Sequence, residues 1–231
     1  MEYSKLTSSN KNFLKRFSHK KRFLVASKLI EKYNPYTFLD YGTGDGEIIK
    51  YLHNVSKKKI CLFEPVEKMR ENLNVNIKNF SNIKIFEKSE EINKNFFDLI
   101  SINEVFEHLT LEECKKTLNI LKQAGKQNVK LIISVPIEVG LSSLLKNLIR
   151  ILTNQTHQGT NLKNLIKSVF YFHIDRPNIP YNDSHIGFNY KKFIQFLIVE
   201  GIIINKITYS PFNLFKGIAN TQIFIEANFN D

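Results

Sequence analysis

Two carboxylates and three glycines carry the clearest chemistry in this chain. Asp40 sits near the end of a short apolar run, Thr37 to Tyr41, and Gly42, Gly44 and Gly46 follow at alternate positions. Glu64 closes a second run that begins at Lys59. Glycines leave the backbone bare, so a ligand can approach N–H groups where a strand turns into a helix. An acid at the end of the neighbouring strand accepts hydrogen bonds from a ribose. Glu64 lies 18 residues after Gly46, close to the roughly 20 expected for a ribose-binding acid. The glycine spacing departs from the dinucleotide fingerprint, which needs G-x-G-x-x-G to set a pyrophosphate on the helix N-terminus. Here it is Asp-x-Gly-x-Gly-x-Gly. The pattern describes a nucleoside site without a dinucleotide's phosphate seat; the competing reading is an ordinary strand-to-helix turn.

Such residues need strands that end together and helices that fill the returns. Glu47 to Leu52 opens an apolar pattern with helical spacing. Val66 to Val75 reads as a helix, Ile83 to Phe86 as a third strand and Phe97 to Ile102 as a fourth. Leu111 to Ala124 is an amphipathic helix, and Val129 to Val135 is a fifth buried strand ended by Pro136. Strands alternating with helices imply a parallel sheet covered on both faces, with functional groups at the carboxyl ends of the strands. Asp40, Glu64, Asn103 and Pro136 fall at such ends.

Ahead of this unit, residues 1 to 19 are polar and read as a loose arm or short helix. Lys20 to about Tyr33 has a helical apolar face that Asn34-Pro35 stops. Residues 137 to 183 have no place in the alternation. Leu141, Leu144, Leu145, Leu148, Ile149 and Leu152 make a helical apolar face there, and an insertion beyond the fifth strand implies a cap over the site. Tyr190 to Glu200 reads as a helix ended by Gly201, and Ile202 to Tyr209 and Thr221 to Ala227 as two closing strands.

Asp40-Tyr-Gly-Thr-Gly-Asp-Gly46 resembles motif I of the class I S-adenosylmethionine-dependent methyltransferases. Glu64-Pro-Val-Glu-Lys-Met69 resembles the family's next segment, and Phe97 to Leu109 its fourth strand and the loop beyond. Within the class, the chain is similar to the small-molecule branch that includes ubiquinone-type methyltransferases. The resemblance covers about residues 20 to 136, and 185 to 227 more loosely. It implies a Rossmann-like three-layer α/β sandwich. The sheet would have seven strands, the last running antiparallel between the fifth and sixth, and the helical cap at 137–184 would follow strand 5. It implies S-adenosylmethionine as cofactor and S-adenosylhomocysteine as product. The cofactor-binding set it implies is Asp40, Gly42, Gly44, Gly46, Glu64, Pro65, Met69, Ser89, Asn103 and Glu104. Glu64 would hold the ribose hydroxyls, Met69 would flank the adenine, and Ser89 would stand near it. Arg22 comes within reach of the cofactor carboxylate, although a solvated basic face is the preferred reading of that helix.

At 231 residues and 42% hydrophobic content, one domain spanning 1–231, with an N-terminal helical arm at 1–33, is expected. The two cysteines, Cys61 and Cys114, fall in a strand and a helix and make no disulfide framework, which points to a reducing compartment. No signal-peptide core and no apolar run long enough to span a bilayer are seen, so a cytoplasmic protein is expected. Net charge is +11 with a pI near 9.5, and residues 1 to 33 carry nine Lys or Arg against Glu2 and Glu31. Such a balance suits an anionic partner; the bland reading is a chain rich in Lys, Asn and Ile throughout. Oligomeric state is not legible.

A methyl sulfonium is already electrophilic, so the protein's task is to position two reactants and exclude water. A hydroxyl acceptor also needs a base. His185, before a glycine-aromatic turn, and His108, a few residues beyond the fourth strand, are the candidates; local hydrogen bonding is the rival role for each. His173-x-Asp175 and Asp183-x-His185 lack a recognised ligand spacing, so no metal is expected. Three functions follow. The first is methyl transfer to a small molecule or a glycan, at an oxygen. Ser134 to Gly140, His185 to Phe188 and Ser210 to Phe212 resemble methyltransferases of bacterial cell-surface polysaccharide pathways. The second is methylation of RNA or another nucleic acid, favoured by charge alone; Ser101-Ile-Asn-Glu104 is not the Asn/Asp-Pro-Pro-aromatic motif of exocyclic-amine methylation. The third is a noncatalytic S-adenosylmethionine-binding protein.

Overall fold

The computed structural model describes residues 13–139, 188–212, 216 and 220–230. Its strands are β1 (Thr37–Tyr41), β2 (Lys59–Phe63), β3 (Ile83–Phe86), β4 (Phe97–Asn103), β5 (Gly125–Pro136), β6 (Ile202–Ser210) and β7 (Gln222–Phe229). They form one seven-stranded sheet in the order β3-β2-β1-β4-β5-β7-β6. The strands β1 to β5 pair in parallel, and β7 runs antiparallel to both β5 and β6. This is the Rossmann-like methyltransferase arrangement that the sequence implies.

Adjacent residues on the central strands serve opposite faces, as the pleat requires. Leu39, Cys61, Ile100 and Ile133 pack with Leu118 and Leu121 of α3 (Leu111–Ala124) and Phe193 and Leu197 of α4 (Tyr190–Val199). Their neighbours Phe38, Leu62, Leu99 and Ile132 pack with Ala26 and Ile30 of α1 (Phe13–Tyr33) and Leu73 and Ile77 of α2 (Glu67–Ile77). Both faces are therefore dry, and the sheet is the middle of three layers.

Caps set the helix starts. Thr110 accepts the Glu113 N–H while the Glu113 carboxylate accepts the Thr110 N–H, a reciprocal cap on α3. Asn189 accepts from the N–H groups of Lys191 and Lys192 and opens α4. At the far end of α1, Glu226 of β7 accepts from Lys32 and from the Tyr33 hydroxyl, so α1 is tied to the sheet's other half.

Three elements differ from the sequence reading. Helix α1 begins by Phe13, ahead of the Lys20 start expected. Strand β5 begins at Gly125, four residues before Val129. The residues after Gly46 form a 3-10 helix, Glu47–Tyr51, not an α-helix. Leu52 is already extended, and i→i+3 bonds suit a piece this short. The expected cap at 137–184 lies almost wholly outside the described residues. Among the described residues, no helix is long and apolar enough to cross a membrane.

Candidate cofactor site

The loop after β1 is built from left-handed turns. Gly42, Gly44 and Gly46 have φ of 74°, 63° and 71°, conformations in which a Cβ is penalised. Their surroundings separate their roles. A Cβ on Gly42 would meet Val105 Cγ2 at 2.5 Å, and one on Gly46 would meet Leu73 Cδ1 at 2.4 Å. Those two glycines let the loop sit down on its neighbours. A Cβ on Gly44 meets nothing within 4 Å. Gly44 thus borders open space that a side chain would fill.

Glu64 holds this loop from β2. One carboxylate oxygen accepts the Gly44 N–H at 2.8 Å and the other accepts the Val66 N–H at 2.9 Å. The Gly42 and Thr43 N–H groups both donate to the Phe63 carbonyl, at 2.8 and 3.0 Å. Burial pushes the Glu64 carboxyl above its ordinary value, against the pull of the two N–H donors. Each ionised oxygen keeps acceptor capacity beyond its single bond, so Glu64 can brace the loop and still receive ribose hydroxyls.

Asp40 sits one strand away, 4% exposed. The parallel register sets it against Ser101, whose hydroxyl donates to it, and Asn103 donates from its amide at 3.4 Å. Burial raises the Asp40 carboxyl most, with the Ser101, Thr43 and Asn103 hydrogen bonds pulling the other way. Among the described residues, the Asn103 carbonyl oxygen is buried and accepts no hydrogen bond. Next to it, Glu104 has φ 52° and its N–H donates to the Ser134 carbonyl at 3.0 Å.

The remaining candidates scatter. Pro65 is exposed and Met69 half-buried at the start of α2. Ser89 opens a 3-10 turn after β3 and bonds the Glu90 carboxylate at 3.2 Å. His108 ends a 3-10 turn, Phe106–His108, directly beyond β4, and is half-buried. His185, His173, Asp175 and Asp183 lie outside the described residues. Among the described residues, no three His, Cys, Asp or Glu side chains gather as a metal site. Burial pushes the Cys61 thiol up to about 11, so it is an inert core group.

Two contributors were missed or misread. Arg70 donates to the Glu64 and Pro65 carbonyls at 3.0 and 2.7 Å, and its guanidinium lies 3.4 Å from the Glu87 carboxylate, which braces the turn after β2. Its helical position one residue past Met69 was the only sequence signal. Arg22 is not on a solvated face: its side chain is 13% exposed and ion-paired with Glu104. Helix α1 crosses the strand ends closely enough to turn that residue inward.

The donor set suits an adenosyl amino acid: a ribose acceptor at Glu64, bare backbone at Gly44, and polar groups of both kinds beyond β4. Comparisons agree with the fold. A SAM-dependent methyltransferase from Aquifex aeolicus superposes with a TM-score of 0.57 at 15% identity, over 93% of this chain and 95% of that one. The methyltransferase domain of bacterial CtHen1-C gives 0.59 at 12% identity, over 92% and 98%. The 1,6-didemethyltoxoflavin-N1-methyltransferase of Burkholderia thailandensis, solved with its substrate and S-adenosylhomocysteine, gives 0.59 at 14% identity, over 93% and 80%. No curated protein matches the sequence. A family model described as "Methyltransferase domain" matches residues 8–167, and the chain belongs to that family of methyltransferases.

Proposed function

We propose that the chain transfers a methyl group from S-adenosylmethionine to an oxygen of a small-molecule or glycan-type acceptor. The observation that carries the cofactor half is the Glu64–Gly44 bond beside the open face of Gly44. Such a site takes a single nucleoside, and the glycine spacing disfavours a dinucleotide.

The cofactor supplies an electrophilic methyl on sulfonium, and S-adenosylhomocysteine leaves. The protein's part is to hold adenosine at Glu64, Pro65, Met69 and Ser89, and the amino-acid end at Asp40, Gly44, Asn103 and Glu104. It must also align an acceptor oxygen opposite the sulfur and take its proton. We assign that proton to His185, with His108 as the alternative base. Residues 137–184 are read as the acceptor's cap, and the stretches at Ser134–Gly140 and Ser210–Phe212 favour a glycan-type acceptor through their resemblance to polysaccharide-pathway enzymes. Work in the cytoplasm fits this reading.

Calorimetry with S-adenosylhomocysteine and NAD tests the cofactor assignment: the former should bind, and binding of NAD alone would reject it. Incubation of cell extract with methyl-labelled cofactor tests the acceptor. Label in the carbohydrate or small-molecule fraction is expected; label confined to RNA would favour the nucleic-acid reading, which rests on the charge of +11.

A further inference from the structure

The turn that carries Glu64 lacks a helix cap of the usual kind. Val66 stands just before α2, and its side chain cannot accept from the helix's first N–H groups. Arg70, in the first turn of α2, orders the turn instead. Its guanidinium donates back to the Glu64 and Pro65 carbonyls at 3.0 and 2.7 Å and lies 3.4 Å from the Glu87 carboxylate just beyond β3. One planar fork therefore joins the exits of β2 and β3, which are adjacent parallel strands. With both carbonyls drawn under the turn, the Glu64 side chain faces the Gly44 and Val66 N–H groups.

Glu64 is also a carboxylate in a costly place. It is 5% exposed, and a second buried acid, Asp40, lies one strand away on β1. Burial and the Asp40 charge favour its protonated form. The Val66 and Gly44 N–H groups and the Arg70 charge favour the ionised form. Glu87, from beyond β3, pairs with Arg70. Protonation would turn one Glu64 oxygen into a donor and remove acceptor capacity for ribose hydroxyls.

We propose that Arg70 is a positioning residue for the nucleoside: its guanidinium clamps the exits of β2 and β3 together and keeps Glu64 an acceptor aimed at the ribose. The inference rests on the cofactor reading above. Arg70 acts through Glu64 and not on the ligand. Its effect therefore reaches every ligand whose ribose sits at Glu64, with or without an amino-acid end.

A pH profile separates this role from a merely structural one. 5′-Methylthioadenosine keeps the adenosine and lacks the amino and carboxyl groups, so no titration of an amino-acid end enters its binding. Calorimetry on the full chain should show affinity that falls on acidification. The fall should begin above the ordinary glutamate value of 4.5, because burial raises the Glu64 carboxyl. Arg70→Met removes both the charge and the fork. It should weaken 5′-methylthioadenosine near neutrality by about three- to tenfold, the range for one hydrogen bond. It should also move the acid limb to higher pH, since a contribution that lowers the Glu64 value is gone. Arg70→Lys keeps the charge without the fork, so affinity should stay reduced while the limb returns to the parent's position. Glu64→Gln cannot titrate and should show no limb in that range. S-adenosylhomocysteine should lose the same factor as 5′-methylthioadenosine in each Arg70 variant. If Arg70→Met weakens binding equally at every pH and leaves the limb in place, or if the limb survives Glu64→Gln, the inference is overturned. If the unaltered chain binds neither ligand, the cofactor reading fails and the inference falls with it, an outcome seen before any variant is compared.

Discussion

The Glu64 carboxylate reaches back across 20 residues to accept the Gly44 N–H at 2.8 Å. One side chain therefore sets the glycine loop and, in the proposed reading, also receives the cofactor's ribose. Glu64→Ala removes both functions. S-adenosylhomocysteine affinity should fall by about 1 to 3 kcal/mol, the usual cost of stranding hydrogen-bonding partners. Titration calorimetry measures this, and an unchanged affinity would mean that the ribose lies elsewhere.

The glycines should separate binding from folding. Gly44→Val meets open space, so its folded-state penalty is that of a left-handed backbone, about 1–2 kcal/mol. The branched side chain would fill the ligand's space and abolish binding. Gly46→Val carries the same backbone penalty and also drives a Cβ into Leu73, which is 0% exposed and has little room to yield. Thermal melts should therefore rank Gly46→Val below Gly44→Val, while calorimetry shows the Gly44 variant without binding. The reverse order of melting would contradict these packing roles.

Acid stability should depend on the anchor of α1. Burial raises the Glu226 carboxyl, but hydrogen bonds from Lys32 and Tyr33 outweigh it and hold the group below its ordinary value. A lowered folded value means stability that is present above the unfolded value of 4.5 and lost as pH falls through the lowered one. Asp40 and Glu64, both raised, act with the opposite sign. Glu226→Gln should thus lower the melting temperature near neutrality and flatten its decline below about pH 5. A variant profile parallel to the parent's would show that the pair does not contribute.

Most of the sheet was legible because its strands are short, apolar and punctuated: Thr37, Lys59, Ile83 and Phe97 all begin strands where the pattern places them. The glycine loop and the two acids were legible as residue types. The geometry between elements was not. Ser101 looks like an interruption in an apolar strand until the register sets it against Asp40. Arg22 looks like one of many exposed cations until α1 is packed across the strand ends. The 3-10 turn after Gly46 was missed because Ile48 and Ile49 fit a helical period of either kind.

Charge alone should give only loose contact with nucleic acid. With a net charge of +11, most of it within residues 1 to 33, RNA association should be weak, without sequence preference, and should fall steeply with salt. Filter binding at several salt concentrations measures it. Tight binding that survives moderate salt would move RNA ahead as the acceptor.

The catalytic base is the most exposed of these assignments to test. An acceptor hydroxyl must lose its proton as its oxygen takes the methyl, and a neutral imidazole with a pKa near 6.5 can take it at cytoplasmic pH. His185 lies outside the described residues, between the expected cap and Phe188, which is buried against Phe193 of α4 with ring centroids 5.6 Å apart. The glycine-aromatic turn that follows His185 in the sequence favours it over His108, which ends the 3-10 turn after β4. His185→Ala should lower kcat by roughly 10²-fold or more while S-adenosylmethionine affinity stays put, since a base acts on the acceptor and not on the donor. In the parent, kcat should rise with pH through the imidazole range and level off, and the variant should lose that limb. His185→Gln would keep partial activity only if hydrogen bonding, not proton transfer, is the role. A structure with S-adenosylhomocysteine that puts the His185 ring beyond about 10 Å from the sulfur, too far to touch the transferring group, would pass the role to His108 or to Glu104.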